Sequence, residues 1–164
     1  MHTPAPNLPS AEPTDDRPLP PGVTVDLARR ALAEQPFSVL LGARLVSFGS
    51  GQAVLEVPIR DDLRQQNGHV HGGVLAYAAD NALTFAGASA LGAAVLTGGF
   101  TITYMRPADG RLLRAHATVL QAGPRQAVCR CDLTVVGDGG EVLCAAAQGT
   151  IVLPSAAARR PTSP

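Results

Sequence analysis

A chain of 164 residues with 46% hydrophobic and 16% charged side chains has the apolar material for one filled core and too little length for two ordinary domains. Its 13 basic and 13 acidic residues cancel, so it lacks the electrostatic footprint expected of a partner for nucleic acid or an anionic membrane. The composition also argues against a disordered chain and leaves little charge to cover a monomer, which points to a subunit interface.

Residues 1–22 are rich in proline and polar side chains, with Pro18, Pro20 and Pro21 at their end, and are predicted to be a flexible tail. Met1-His2-Thr3-Pro4 does not lead into a charged start and apolar run, so no secretory signal is expected and the cytoplasm is the expected compartment. The folded domain is placed at 23–154, and 155–164 reads as a second tail. Within the domain, the spacing of Leu27 and Ala31 predicts a short amphipathic helix over 26–35 with its arginines in solvent and Pro36 as its stop. A hairpin follows, 43–48 and 52–59 around Gly49-Ser50-Gly51, with Ala53, Leu55, Val57 and Ile59 on the core face.

The stretch 65–84 opens polar and glycine-rich and becomes a run of small apolar residues, predicting a long buried helix over about 72–91. The segment 81–105 carries no charge, but Ala, Gly, Thr and Ser dominate it, Gly98-Gly99 interrupts it, and no cationic anchors flank it; it is not a membrane span. Phe100 to Tyr104 alternates as a strand stopped by Pro107-Ala108-Asp109-Gly110. Leu113 to Val119, Ala127 to Val135 and 141–153 complete a sheet through turns at Gly123-Pro124 and Gly137 to Gly140. Cys129 and Cys131 share one strand face, which suits burial better than a disulfide, and with Cys144 they fit a reducing compartment. The expected class is α+β: a short N-terminal helix and one long Ala-rich helix against an antiparallel sheet of about six strands.

The chemistry concentrates in that central stretch. Asp80 interrupts an apolar run, with no Lys or Arg between Arg64 and Arg106, so its burial is costly unless something uses it as base, nucleophile or structural clamp. Gly72 and Gly73 stand where the helix begins; the first N–H groups of a helix lack internal partners and sit at its positive end, where they can hold an oxyanion. The plainer reading is a tight loop-to-helix turn. Thr84, one turn beyond Asp80, can bond either the carboxylate or an attacking water. Gly72 and Asp80 are eight residues apart, roughly 12 Å at ~1.5 Å per residue, so one helix cannot bring both to one reacting carbon. A shared site then needs a second, antiparallel copy of the helix, as a two-fold homodimer supplies.

His69-x-His71 has the spacing of a metal pair, but His2 and His116 lie elsewhere and no Cys-x-x-Cys accompanies them, so no metal is expected. His71 is read as orienting the loop or lining the site, and His69 as a solvated loop residue. No Gly-x-Ser-x-Gly elbow, Walker loop or dinucleotide fingerprint is present.

His71-Gly72-Gly73 with Asp80 nine positions after His71, followed by Thr101-Ile102-Thr103-Tyr104-Met105-Arg106-Pro107, resembles the hotdog-fold acyl-CoA thioesterases, in particular the phenylacetic-acid-pathway type. The similarity spans about 35–153. It implies a long helix wrapped by a curved antiparallel sheet, dimers joined edge to edge, a homotetramer of two dimers, and coenzyme A as part of the substrate with no other cofactor. It also implies Asp80 as general base or nucleophile and the partner subunit's Gly72 N–H as carbonyl donor. Gln65 matches a residue that places thioester or water, unless a shorter loop gives that role to Asn67. Thr84 matches a hydroxyl near the acid, Thr97 a further polar position, and Tyr104 and Arg106 coenzyme A contacts, with Arg106 toward phosphate. Thioester hydrolysis is the expected activity; a non-catalytic acyl-CoA-binding module and an enoyl-CoA hydratase-like enzyme are the competing classes.

Overall fold

The computed structural model describes residues 18–155. Residues 1–17 and 156–164, most of the two predicted tails, lie outside the described residues. Thr24 opens α1, Val25–Ala33, by accepting a hydrogen bond from the Leu27 N–H at 3.1 Å. The arginines of α1 are exposed as expected, yet Arg29 also donates to the carbonyls of Leu45 and Val46, tying α1 to the sheet. Pro36, expected as a stop, instead begins a second helix: α2, Pro36–Leu41, carries it in the first turn, where its missing N–H and fixed φ do no harm. Gly42, at φ 70°, ends α2 in the left-handed conformation.

The strands β1, Arg44–Gly49, and β2, Gln52–Pro58, form the expected hairpin. After a 3-10 turn at Asp61–Leu63 comes α3, Gly72–Leu91, then β3, Leu96–Tyr104, β4, Leu112–Ala122, β5, Gln126–Gly137, and β6, Gly140–Val152. All pairings are antiparallel in one sheet ordered β1-β2-β4-β5-β6-β3. This six-stranded sheet curved about a long helix is the hotdog arrangement. β3 starts at Leu96, earlier than the alternation from Phe100 indicates, because a bulge between Thr97 and Gly99 breaks that alternation.

The core lies between α3 and the inner sheet face. Ala78, Ala79, Ala82, Leu83 and Ala86 meet Leu55, Val57, Leu113, Cys129, Cys131, Leu133 and Ile151, all buried. Small residues let the helix come close: a Cβ on Gly87 would stand 2.6 Å from Ile151 Cβ, so only glycine fits there. Burial pushes the Cys129 thiol up to about 12 and the Cys131 thiol higher still, so both behave as small apolar groups. Ser89 accepts from the Gly51 N–H at 3.0 Å and donates to the Ala86 carbonyl at 2.8 Å, fixing the β1–β2 turn to α3. On the outer face Glu56 is only 9% exposed because Arg114 lies over it, donating to its carboxylate at 2.8 and 3.0 Å. Among the described residues, no helix is long and apolar enough to cross a membrane.

Candidate active site

The loop before α3 is held on all sides. Arg64 and Val70 form an antiparallel bridge, closed by Gln65 N–H to the His69 carbonyl at 2.8 Å. Gly68 N–H turns back to the Gln65 carbonyl at 2.9 Å, and its φ of 83° is a left-handed conformation that glycine adopts without strain. The Val70 N–H reaches the Ala108 carbonyl at 3.0 Å, and Arg64 clamps the Gly68 carbonyl and Asp109 at 2.6 and 3.1 Å.

This loop delivers His71 as the cap of α3, in extended backbone at φ −64° and ψ 135°. Its ring Nδ1 accepts the Gly73 N–H at 2.9 Å, which leaves the remaining ring proton of the neutral tautomer on Nε2. The two glycines therefore part company. The Gly73 amide is occupied, while the Gly72 N–H donates to no group among the described residues. Tyr104 fixes the Gly72 peptide by donating its hydroxyl to the Gly72 carbonyl at 3.0 Å.

Gly72 borders a cleft of about 430 Å³ lined also by Gln65, His69, Leu75, Tyr104 and Arg106. The Arg106 guanidinium has no hydrogen-bond or ion-pair partner among the described residues, so a cation stands free beside that cleft. Asn67 is exposed and does not line it. His71 and Gly73 turn instead toward a second hollow with Phe37, Leu41, Leu63 and Val74. Phe37 there packs edge-on to Tyr77, whose hydroxyl donates to Ser38 at 2.6 Å.

His69 is the residue that sequence reasoning misplaced. The residue is half-buried at the edge of the cleft, and its Nδ1 is closed off from solvent without a hydrogen-bond partner among the described residues. Such an atom costs ~1–3 kcal/mol if nothing pairs with it. The signal was in the loop: Gln65 and His69 flank a glycine turn and stand across from one another.

Asp80 lies two turns along α3, outside the cleft, and is half-buried in one chain rather than fully buried. Thr97 donates to its Oδ1 at 2.7 Å. Thr84 does not bond the carboxylate; its hydroxyl donates to the Asp80 backbone carbonyl at 2.8 Å and lies 2.7 Å from the Thr97 hydroxyl. The bulge at Gly98 makes this possible: it puts Thr97 opposite inward-facing Ile151, on the same face as Phe100, where regular alternation would point it away. Oδ2 of Asp80 has no partner among the described residues. One chain thus assembles two separate groups: Gly72, Gln65, Tyr104 and Arg106 about the cleft, and Asp80, Thr84 and Thr97 farther down the helix.

A long helix wrapped by one antiparallel sheet, with an acid at mid-helix and a free amide at its start, defines a hotdog-type enzyme scaffold. The thioesterase superfamily profile matches residues 67–142. A thioesterase family protein from Silicibacter pomeroyi is 30% identical at a TM-score of 0.72, the match covering 76% of this chain and 93% of that one. A conserved protein from Pseudomonas aeruginosa is also 30% identical, with a TM-score of 0.66 and coverage of 76% and 98%. A mutant of the phenylacetic acid degradation protein PaaI from Thermus thermophilus is 26% identical, with a TM-score of 0.64 and coverage of 73% and 100%. No curated protein sequence matches significantly. The chain belongs to the thioesterase superfamily.

Proposed function

We propose that the protein hydrolyses acyl- or aroyl-CoA thioesters to free acid and coenzyme A, as a cytoplasmic homodimer or a homotetramer of two dimers, of the phenylacetic-acid-pathway type. The observation that carries this is the pair of incomplete groups: a free Gly72 N–H at the positive end of α3, and a carboxylate on the same helix too far along to share a carbon with it. An antiparallel second copy completes both. The unpaired edge of β3, nine residues without a charge, supports edge-to-edge pairing of two chains. The three buried free thiols fit a reducing compartment.

In this reading the thioester carbonyl points at the Gly72 N–H of one subunit, and Arg106 holds a coenzyme A phosphate. Asp80 of the other subunit either takes a proton from water as that water attacks the carbonyl carbon, or attacks the carbon itself through Oδ2, expelling the thiolate to leave an acyl anhydride that water then hydrolyses to free the acid and restore the carboxylate. Gln65 places the thioester or the water. Charge gathering on the carbonyl oxygen is held by the amide until the C–S bond breaks and the thiolate leaves to take up a proton. Thr97 fixes the carboxylate throughout, while Thr84 holds the Asp80 backbone carbonyl.

The test is thiol release from a panel of CoA thioesters, followed by mixing two inactive chains, Asp80→Asn and Gly72→Pro. Equal mixing gives about half mixed dimers with one intact site in two, so roughly a quarter of wild-type activity returns if the site crosses the interface. Absence of recovery sinks the shared site. Tight acyl-CoA binding without thiol release would instead mark a binding module, and enoyl-CoA consumption without free thiol a hydratase.

A further inference from the structure

The first turn of α3 divides two hollows. Gly72 borders the cleft with the free Arg106 cation, and Gly73 borders a hollow of about 320 Å³ whose apolar walls are Phe37, Leu41, Leu63 and Val74. Charged side chains at the rim of the second hollow are already paired: Asp62 accepts from Arg60 at 3.1 and 3.3 Å, and Arg64 donates to the Gly68 carbonyl and Asp109. The hollow therefore offers a ligand apolar contact and no unpaired Asp or Arg among the described residues. Leu41, Leu63 and Val74 are buried, whereas Phe37 is 57% exposed. That ring is nevertheless held in place. α2 begins at Pro36, whose φ is fixed, and the Phe37 ring meets Tyr77 edge-on with centroids 5.3 Å apart. Tyr77 is tied back to the same helix, its hydroxyl donating to buried Ser38 at 2.6 Å and Ser38 donating to Gln35 at 2.7 Å. An uncovered aromatic wall that is already ordered loses little freedom when an apolar ligand lands on it.

We propose that this hollow receives the acyl group of the thioester, and that Phe37 sets a preference for a compact apolar acyl group, an aromatic ring above all. The inference rests on the thioesterase reading and concerns the acyl end of that substrate. A carbonyl held by the Gly72 N–H has sulfur on one side of its carbon and the acyl group on the other. With a coenzyme A phosphate on Arg106, the sulfur side lies over the cleft, and the acyl side is directed past Gly73 toward Phe37. The volume stands near the lower end of ligand pockets, which suits one ring or a short branched chain, while a long chain would run out into water. The Phe37 ring adds an edge-on or offset contact that only an aryl group returns. A carboxylate at the far end of the acyl group would find no free cation there, since Arg64 is engaged.

The experiment measures kcat/KM for benzoyl-, phenylacetyl-, acetyl-, succinyl- and palmitoyl-CoA with wild type, Phe37→Ala and Phe37→Leu, and repeats the benzoyl ester on pantetheine. Wild type is expected to favour the two aromatic acyl groups. Phe37→Ala should lower kcat/KM about tenfold for these and at most about twofold for acetyl-CoA, with Phe37→Leu recovering part of the loss. The loss on the benzoyl ester should be the same for coenzyme A and pantetheine, because the hollow meets the acyl end and not the thiol. Equal losses on acetyl- and benzoyl-CoA, no loss on either, or a wild-type preference for palmitoyl- or succinyl-CoA would overturn the assignment. A fall in assembly mass of Phe37→Ala by light scattering would overturn it too, because the ring would then serve a contact between chains. Should wild type release no thiol from any ester, the hydrolase reading falls by itself. Calorimetry then decides the hollow: tighter binding of phenylacetyl-CoA than of acetyl-CoA, with the margin lost in Phe37→Ala, upholds it, and equal affinities overturn it.

Discussion

The two polar groups along α3 differ in how their hydrogen bonds are used. Around Asp80 the hydroxyls are turned inward: Thr97 serves the carboxylate, Thr84 serves the Asp80 carbonyl, and the two hydroxyls touch each other. Two hydrogens there serve three contacts. At the start of the helix the opposite holds. His71 removes the Gly73 amide from play, and the Gly72 N–H and the Arg106 guanidinium are left without partners among the described residues. The first group braces itself within one chain and fixes a base, with only Asp80 Oδ2 left unpaired among the described residues; the second is rigid but open. A reacting group needs a fixed place, whereas a binding surface needs free donors, and the chain separates the two by roughly 12 Å of helix.

The sharpest way to break this contrast is Asp80→Asn, which keeps the shape and most hydrogen bonds of the first group and removes its charge. Thiol release should fall roughly 10³-fold, within the span for a deleted general base, with thermal stability little changed. An unaltered rate would make Asp80 a structural clamp and the first group a mere brace.

Next in size is Gly72→Pro, which deletes a backbone donor without breaking the helix. Proline suits the first helical position, His71 before it already has the extended backbone that a proline requires, and a Cβ at 72 meets only the Tyr104 ring at 3.5 Å. We expect kcat to fall on the order of 10²-fold while circular dichroism stays native. Full activity would show that the amide is not the oxyanion donor and that the open group only binds.

Most of the scaffold could be read before any coordinates. The limits of α3, the two-residue period of β2, β4 and β5, and the burial of Cys129 and Cys131 follow from local patterns that tertiary packing did not override. What escaped were features set by one residue's backbone. Pro36 carries the same chemistry at the end of one helix as at the start of the next, and only the left-handed Gly42 six residues later signals that the second exists. Thr97 had the wrong parity for the inner face until the bulge at Gly98 was known. The His71 ring closing on Gly73 was equally invisible, since Gly72 and Gly73 are identical in sequence and differ only in which amide the imidazole reaches. The separation of Gly72 from Asp80 could be read from their spacing along the helix; which amide stays free and which hydroxyl meets the carboxylate could not.

Thr97→Val tests the inward-turned group more gently. The carboxylate loses its only donor among the described residues, and the Thr84 hydroxyl loses a neighbour but keeps the Asp80 carbonyl. A loss of about tenfold in kcat at constant KM is expected, with Thr97→Ser restoring most of it, because a single charge-assisted hydrogen bond is at stake. A shift in KM instead would place Thr97 on the substrate and not on Asp80.

The smallest effect should come from the open end, with Tyr104→Phe. The hydroxyl that braces the Gly72 carbonyl is half-exposed, so water can replace it once it is gone, and the ring contact with Gly72 survives. Steady-state kinetics should show a two- to threefold fall, consistent with ~0.5 kcal/mol for a hydrogen bond that solvent can substitute. The ordering matters more than the size. Thr97 holds a side chain that must reach a precise point in the transition state, whereas Tyr104 braces a peptide already held by the helix and by the bonded loop before it. A Tyr104→Phe defect larger than that of Thr97→Val would mean that the open group depends on its hydroxyl for shape, and the division between a fixed base and a self-supporting amide would have to be redrawn.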